Sequence, residues 1–102
     1  MVMGWDRRTS IRFPVALDAR IRSLSDGRGI DSAGETINIS LRGLLMISDV
    51  HVPVGTRVEI KMDWPAPREG TRLAFLIAHG SVIRAERGCV AVSVHRYELR
   101  FV

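Results

Sequence analysis

Two short constellations hold the residues of this 102-residue chain whose types and spacing could do chemistry. The first is Arg7-Arg8-Thr9-Ser10-Ile11-Arg12, in which Arg8 and Arg12 lie four apart with Arg7 adjacent. Guanidinium groups offer planar forks of donors that match phosphate oxygens and the Hoogsteen edge of guanine, and they stack on flat rings. The second is Asn38-Ile39-Ser40-Leu41-Arg42-Gly43. On an extended strand Asn38 and Ser40 project from one face. Gly43 permits a turn, a positive φ or a close backbone approach. Asn is disfavoured in strands and needs a reason there. An arginine arm beside an Asn/Ser pair would clamp a ligand that is both anionic and rich in hydrogen-bonding edges. The arm would meet phosphates and guanine edges, while Asn38 and Ser40 supply short hydrogen bonds.

Other chemistries find no residues to carry them. The sequence has no Gly-x-x-x-x-Gly-Lys phosphate loop, no Gly-x-Ser-x-Gly elbow and no paired histidines at helical spacing. His51, His79 and His95 lie far apart, and Cys89, at the start of a valine-rich strand, reads as a buried, inert thiol. No enzyme and no metal site is expected. The formal charge is +4, and all fifteen basic residues but Lys61 are arginine, which permits an anionic, planar partner without requiring one. A single cysteine excludes an internal disulfide and fits a reducing cytoplasm. The longest apolar run, residues 73–78, is far too short to span a bilayer, and no signal peptide is evident, so a cytoplasmic location without membrane insertion is expected.

The elements that must position these residues are strands. In residues 13–22, Phe13, Val15, Leu17, Ala19 and Ile21 take one face. Val58, Ile60, Met62 and Trp64 alternate with Arg57, Glu59, Lys61 and Asp63, which puts Trp64 in the core. Residues 35–40 are expected to turn Ile37 and Ile39 inward, leaving Thr36, Asn38 and Ser40 on the outer face. Residues 44–47 continue beyond Gly43. Residues 73–85 form a long strand in which Gly80 marks a bulge or bend. Val90, Val92 and Val94 define a last strand, and residues 96–102 run on from it. Turn clusters at 25–29, 53–55, 65–70 and 86–88 separate the runs. About six short strands with such punctuation predict an all-β fold, a small antiparallel six-stranded barrel whose closure removes exposed edges.

The arginine arm and the Asn38 motif, in that order on a six-strand pattern, resemble the PilZ domain family, bacterial receptors for the second messenger cyclic di-GMP. That family is marked by Arg-x-x-x-Arg followed by Asp/Asn-x-Ser-x-x-Gly. Here Arg8 to Arg12 and Asn38 to Gly43 satisfy both, with 25 residues between Arg12 and Asn38. Gly80-Ser81-Val82-Ile83-Arg84 is similar to the family's Gly-x-Val-x-Arg segment, and Cys89 through Leu99 looks like its last strand. The resemblance implies a non-catalytic receptor on a split six-stranded β-barrel. Residues 1–12 would be the basic arm and 13–102 the barrel. Cyclic di-GMP would be held by Arg7, Arg8, Arg12, Asn38, Ser40 and Gly43, with Arg7 able to reach a second, stacked ligand. The arm would order on binding and signal to an unidentified protein partner.

The family's usual C-terminal helix is expected to be short or absent, since the sequence ends at Val102 directly after its last strand. Either residues 96–102 substitute for that helix, or a partner subunit covers the barrel end, which leaves a homodimer open. Arg42 is expected in solvent and Arg84 over a sheet edge. Trp5 would stack on a base or dock on the barrel. Two other readings stand beside this one. One is a small barrel binding single-stranded nucleic acid, which the inward placement expected for most of the six aromatics disfavours. The other is a PilZ-like module acting through protein partners without a ligand, against which the intact arginine arm argues.

Overall fold

Strand β-structure follows the alternating runs closely. The computed structural model describes residues 11–24, 29–64 and 74–101. Its strands are β1 (Asp18–Ser23), β2 (Asp31–Ile39), β3 (Gly43–Ser48), β4 (Arg57–Trp64), β5 (Ala74–Glu86) and β6 (Cys89–Phe101). All neighbours are antiparallel, and the order β1-β2-β3-β6-β5-β4 closes into a barrel. Each strand therefore has two partners and no ladder edge is left open. Ile21, Met46, Ile60, Met62, Val82, Val90 and Val92 fill the interior with no appreciable exposure.

The expected faces hold for Leu17, Ala19, Ile21, Val58, Ile60 and Met62. Trp64 does not join them, for it lies at the end of β4, past the core, and is 43% exposed. Phe13 also departs, being 60% exposed and outside β1, where it forms an isolated bridge with Ile39. Of the aromatics that are described, none is fully buried, which corrects the expectation that most point inward. Cys89 is only half-buried, since its strand partner Ile47 belongs to the outer face. Residues 96–101 extend β6 against β5, with Phe101 opposite Ala74, as the expected run-on of the last strand.

Strand β2 departs from strict alternation. Thr36 pairs with Met46, but Asn38 pairs with Leu45, so Ile37 is an extra residue in a bulge. Thr36 is 1% exposed and points inward, while Ile37 is turned to the surface, the reverse of the expected faces. The buried hydroxyl of Thr36 is satisfied by the main chain leading into β1. It accepts a hydrogen bond from Leu17 N–H at 2.8 Å and donates one to the Val15 carbonyl at 2.6 Å. Burying it elsewhere without such partners would cost about 1–3 kcal/mol.

Strand β5 carries a matching irregularity. Val82 pairs with Val92 but Arg84 with Ala91, which makes Ile83 its extra, exposed residue. A second shift falls between His79 and Gly80, where the sequence placed one. Gly80 is required there, because a β-carbon on it would overlap the Ser93 carbonyl.

Candidate ligand-binding site

The two bulges put polar residues onto one row of the outer surface. Read across four strands, that row is Asn38 (β2), Leu45 (β3), Ala91 (β6) and Arg84 (β5). Without the bulge in β2, Asn38 would stand opposite Leu44, whose side chain lies in the core. Without the bulge in β5, Arg84 would share the inward face of Val82 and Val90. Leu45 and Ala91 make the floor, with the two polar groups at its ends.

Arg12 is carried to the same place by the chain entering β1. Phe13 N–H donates to the Ile39 carbonyl at 2.8 Å, and Ile39 N–H donates to the Phe13 carbonyl at 3.0 Å. This bridge, with the Thr36 clamp two residues further on, sets the 11–13 segment beside residues 38–40. Arg12, Asn38, Ser40, Gly43 and Arg84 then line a single cleft of about 160 Å³. Among the described residues, neither Arg12 nor Arg84 has an ion-pair partner, and the Asn38 amide makes no hydrogen bond. These groups keep their full donor and acceptor capacity for a ligand.

The turn 40–43 is held from several sides. Ser40 N–H donates to the Gly43 carbonyl at 2.8 Å, and the Ser40 hydroxyl donates to the same oxygen at 3.1 Å. The hydroxyl's own lone pairs therefore remain as acceptors for the cleft. Tyr97 O–H donates to the Ser40 carbonyl at 2.7 Å, and half-burial pushes the phenol up to about 12, so it stays a donor at neutral pH. Gly43 is needed for space alone. Its φ is not positive, contrary to one of the expectations, but a β-carbon would sit 2.9 Å from the Val92 carbonyl oxygen.

Four of the six expected ligand residues, Arg12, Asn38, Ser40 and Gly43, meet in the cleft. Arg7 and Arg8 lie outside the described residues, as does Trp5. Arg84 lines the cleft and does not cover a sheet edge, for the closed barrel has none. Local alternation also missed Thr36 and Tyr97, which hold the cleft's walls without lining it. A signal existed for Tyr97, a tyrosine in the last strand with a hydroxyl to satisfy, but none for Thr36, whose neighbours are Glu35 and Ile37.

A second polar cluster lies away from the cleft. On the β4–β5–β6 surface, His79 stands between Glu59 and Glu98, with Nε2 at 3.9 Å and 3.8 Å from their carboxylates. Arg22 holds Glu59 at 2.7 Å and Arg100 holds Glu98 at 2.9 Å. The hydrogen bond from Arg100 keeps the Glu98 carboxyl below the usual range. Among the described residues, no group of three or more His, Cys, Asp or Glu is placed to hold a metal ion.

A cleft of guanidinium, amide and hydroxyl groups on a closed six-stranded barrel suits an anionic ligand with a hydrogen-bonding edge. Comparison with protein families then decides the class, since residues 6–101 match the PilZ domain. The chain belongs to the PilZ domain family. PilZ domains are non-catalytic receptor domains that generally bind cyclic di-GMP. The match takes in the Arg8–Arg12 spacing, the Asn38 motif and all six strands of this PilZ domain. No curated protein matches the chain. Among the described residues, no helix is long and apolar enough to cross a membrane.

Proposed function

We propose that this PilZ domain is a cyclic di-GMP receptor that signals by ordering its arginine arm, residues 1–12, over the ligand. The observation that carries the reading is the convergence of Arg12, Asn38, Ser40 and Gly43 on one cleft. Its volume of about 160 Å³ suits the edge of one base or a phosphate and not a whole dinucleotide. The remainder of the ligand needs further groups, and Arg7 and Arg8 directly precede the segment that delivers Arg12. Arg8 and Arg12 then bridge phosphates and guanine edges, Asn38 and Ser40 hold one guanine, and Arg7 reaches a second, stacked molecule. Arg84 adds a cation from the opposite wall. The receptor works in the cytoplasm, where nucleotide messengers are made, and the ordered arm presents a new surface to a protein partner.

Calorimetry tests this directly. Saturable binding of cyclic di-GMP with far weaker binding of GMP and GTP is expected, and equal affinity for mononucleotides refutes it. Arg8→Ala, Arg12→Ala and Asn38→Ala should each weaken binding about tenfold to a hundredfold. The melting temperature should barely move for Arg12→Ala, whose side chain is exposed. Exposed Phe13 and Phe101 give one observation in favour of single-stranded nucleic acid as the partner. Neither lines the cleft, and tight, steeply salt-dependent oligonucleotide binding would be the sign of that reading.

A further inference from the structure

Behind the cleft lies an apolar groove of about 560 Å³ built from the same two backbone segments. Alternation divides their side chains between the two sites. Arg12 and Asn38 serve the cleft, whereas Ile11, Phe13, Ile39 and Leu41 line the groove together with Leu76 and Tyr97, and Ser40 borders both. Leu41 is 76% exposed, and Ile11 and Phe13 are also largely in solvent. An apolar concavity of this size with exposed walls marks an interaction site more often than an ordinary surface.

The charges around it say what fits. Arg42 is the one charged residue lining the groove, it is exposed, and it has no ion-pair partner among the described residues. Among the described residues, no acidic residue lines the groove. A second copy of this chain, set groove to groove about a two-fold axis, would bring Arg42 against Arg42 and leave both cations unpaired. A peptide with carboxylates flanking apolar side chains satisfies both the floor and the rim.

We infer that this groove is a docking site for an acidic, apolar segment of a partner protein. Docking is linked to the cleft, a link that rests on the cyclic di-GMP reading, because Arg12 of the cleft and Ile11 and Phe13 of the groove lie on one segment, so a ligand that shifts its backbone shifts the groove wall.

The test selects displayed random dodecapeptides on the full chain without nucleotide. Enriched peptides should be net acidic with two or more apolar residues. Leu41→Glu, at a site exposed enough to leave the fold intact, should weaken them about tenfold or more. Arg42→Glu should weaken them about three- to tenfold, and Val54→Glu, in a distant exposed turn, should not. Neutral or basic winners, or winners indifferent to Leu41→Glu, overturn the assignment. So does self-association in sedimentation equilibrium that Leu41→Glu abolishes, since a second copy then fills the groove. Titrating cyclic di-GMP into the peptide complex separates the two readings. A change in peptide affinity supports the link, and bound nucleotide with unchanged peptide affinity refutes it. Failure of the nucleotide to bind refutes the receptor reading while leaving acidic-peptide docking standing on its own result.

Discussion

Strands β4 and β2 lie on opposite sides of β1 and differ in one residue of register. β4 pairs with β1 and β5 without a shift, and every second side chain from Val58 to Met62 is wholly buried. β2 carries the extra Ile37, and past it the outward face belongs to Asn38. The regular strand contributes core and an outer row in which Glu59 is ion-paired to Arg22 of its neighbour. The irregular one contributes a polar group with no partner, aimed at a cleft. A bulge costs one ladder pairing locally, and it re-aims all side chains beyond it. In this PilZ domain the same device acts twice, at Ile37 and at Ile83, and the two re-aimed residues end on one row.

The contrast can be broken most severely in β4. Ile60→Ala removes a side chain with no exposure from the middle of the regular strand and should cost about 2–5 kcal/mol. A thermal melt should show a fall of about 10 °C or more, and the folded fraction should bind cyclic di-GMP with unchanged affinity. Affinity lost along with stability would mean that the core and the cleft are not separable.

Thr36→Val probes the inward side of the bulge. Valine keeps the shape but leaves Leu17 N–H without its acceptor, a loss of about 1–3 kcal/mol in chemical denaturation. Amide exchange at Leu17 should accelerate by more than at Ile21. Equal stability would show that the hydroxyl does not anchor the entering chain.

Tyr97→Phe tests the turn that both sites share. Its loss should cost about 1 kcal/mol at neutral pH, the net worth of one hydrogen bond. The folded pKa lies above the unfolded value near 10, so the phenol's contribution is intact below pH 10 and disappears as the pH climbs through about 12. Stability of the parent chain should therefore fall across that window, and the Tyr97→Phe variant should show less of that fall.

The smallest effect sharpens the comparison most. If Ile37 took the inward face expected from the alternation of residues 35–40, Ile37→Ser would cost several kcal/mol. At 36% exposure in the bulge, the change should stay within about 0.5 kcal/mol by denaturant titration. A large loss would put Ile37 and Ile39 inward and Thr36 outward, with no bulge between them.

Much of this molecule was legible in order along the chain. Six alternating runs, their turns, the Gly80 irregularity and the Arg12 and Asn38 motifs depend on residue type and near-neighbour spacing, which is where backbone sterics and apolar periodicity act. The faces of Thr36, Ile37 and Arg84 were not legible, because a bulge is decided by what the neighbouring strand and the entering chain offer. Thr36 turns inward only because main-chain partners 19 and 21 residues away satisfy its hydroxyl. Arg84 faces Asn38 only because β3 and β6 stand between them in a barrel that closes. Trp64 and Phe13 obey their local pattern but sit where the core has already ended. The sequence by itself determined which residues are strand and which types are available to a ligand. Tertiary pairing alone decided which of them share a surface, since register between strands is a property of two segments at once and neither carries it alone.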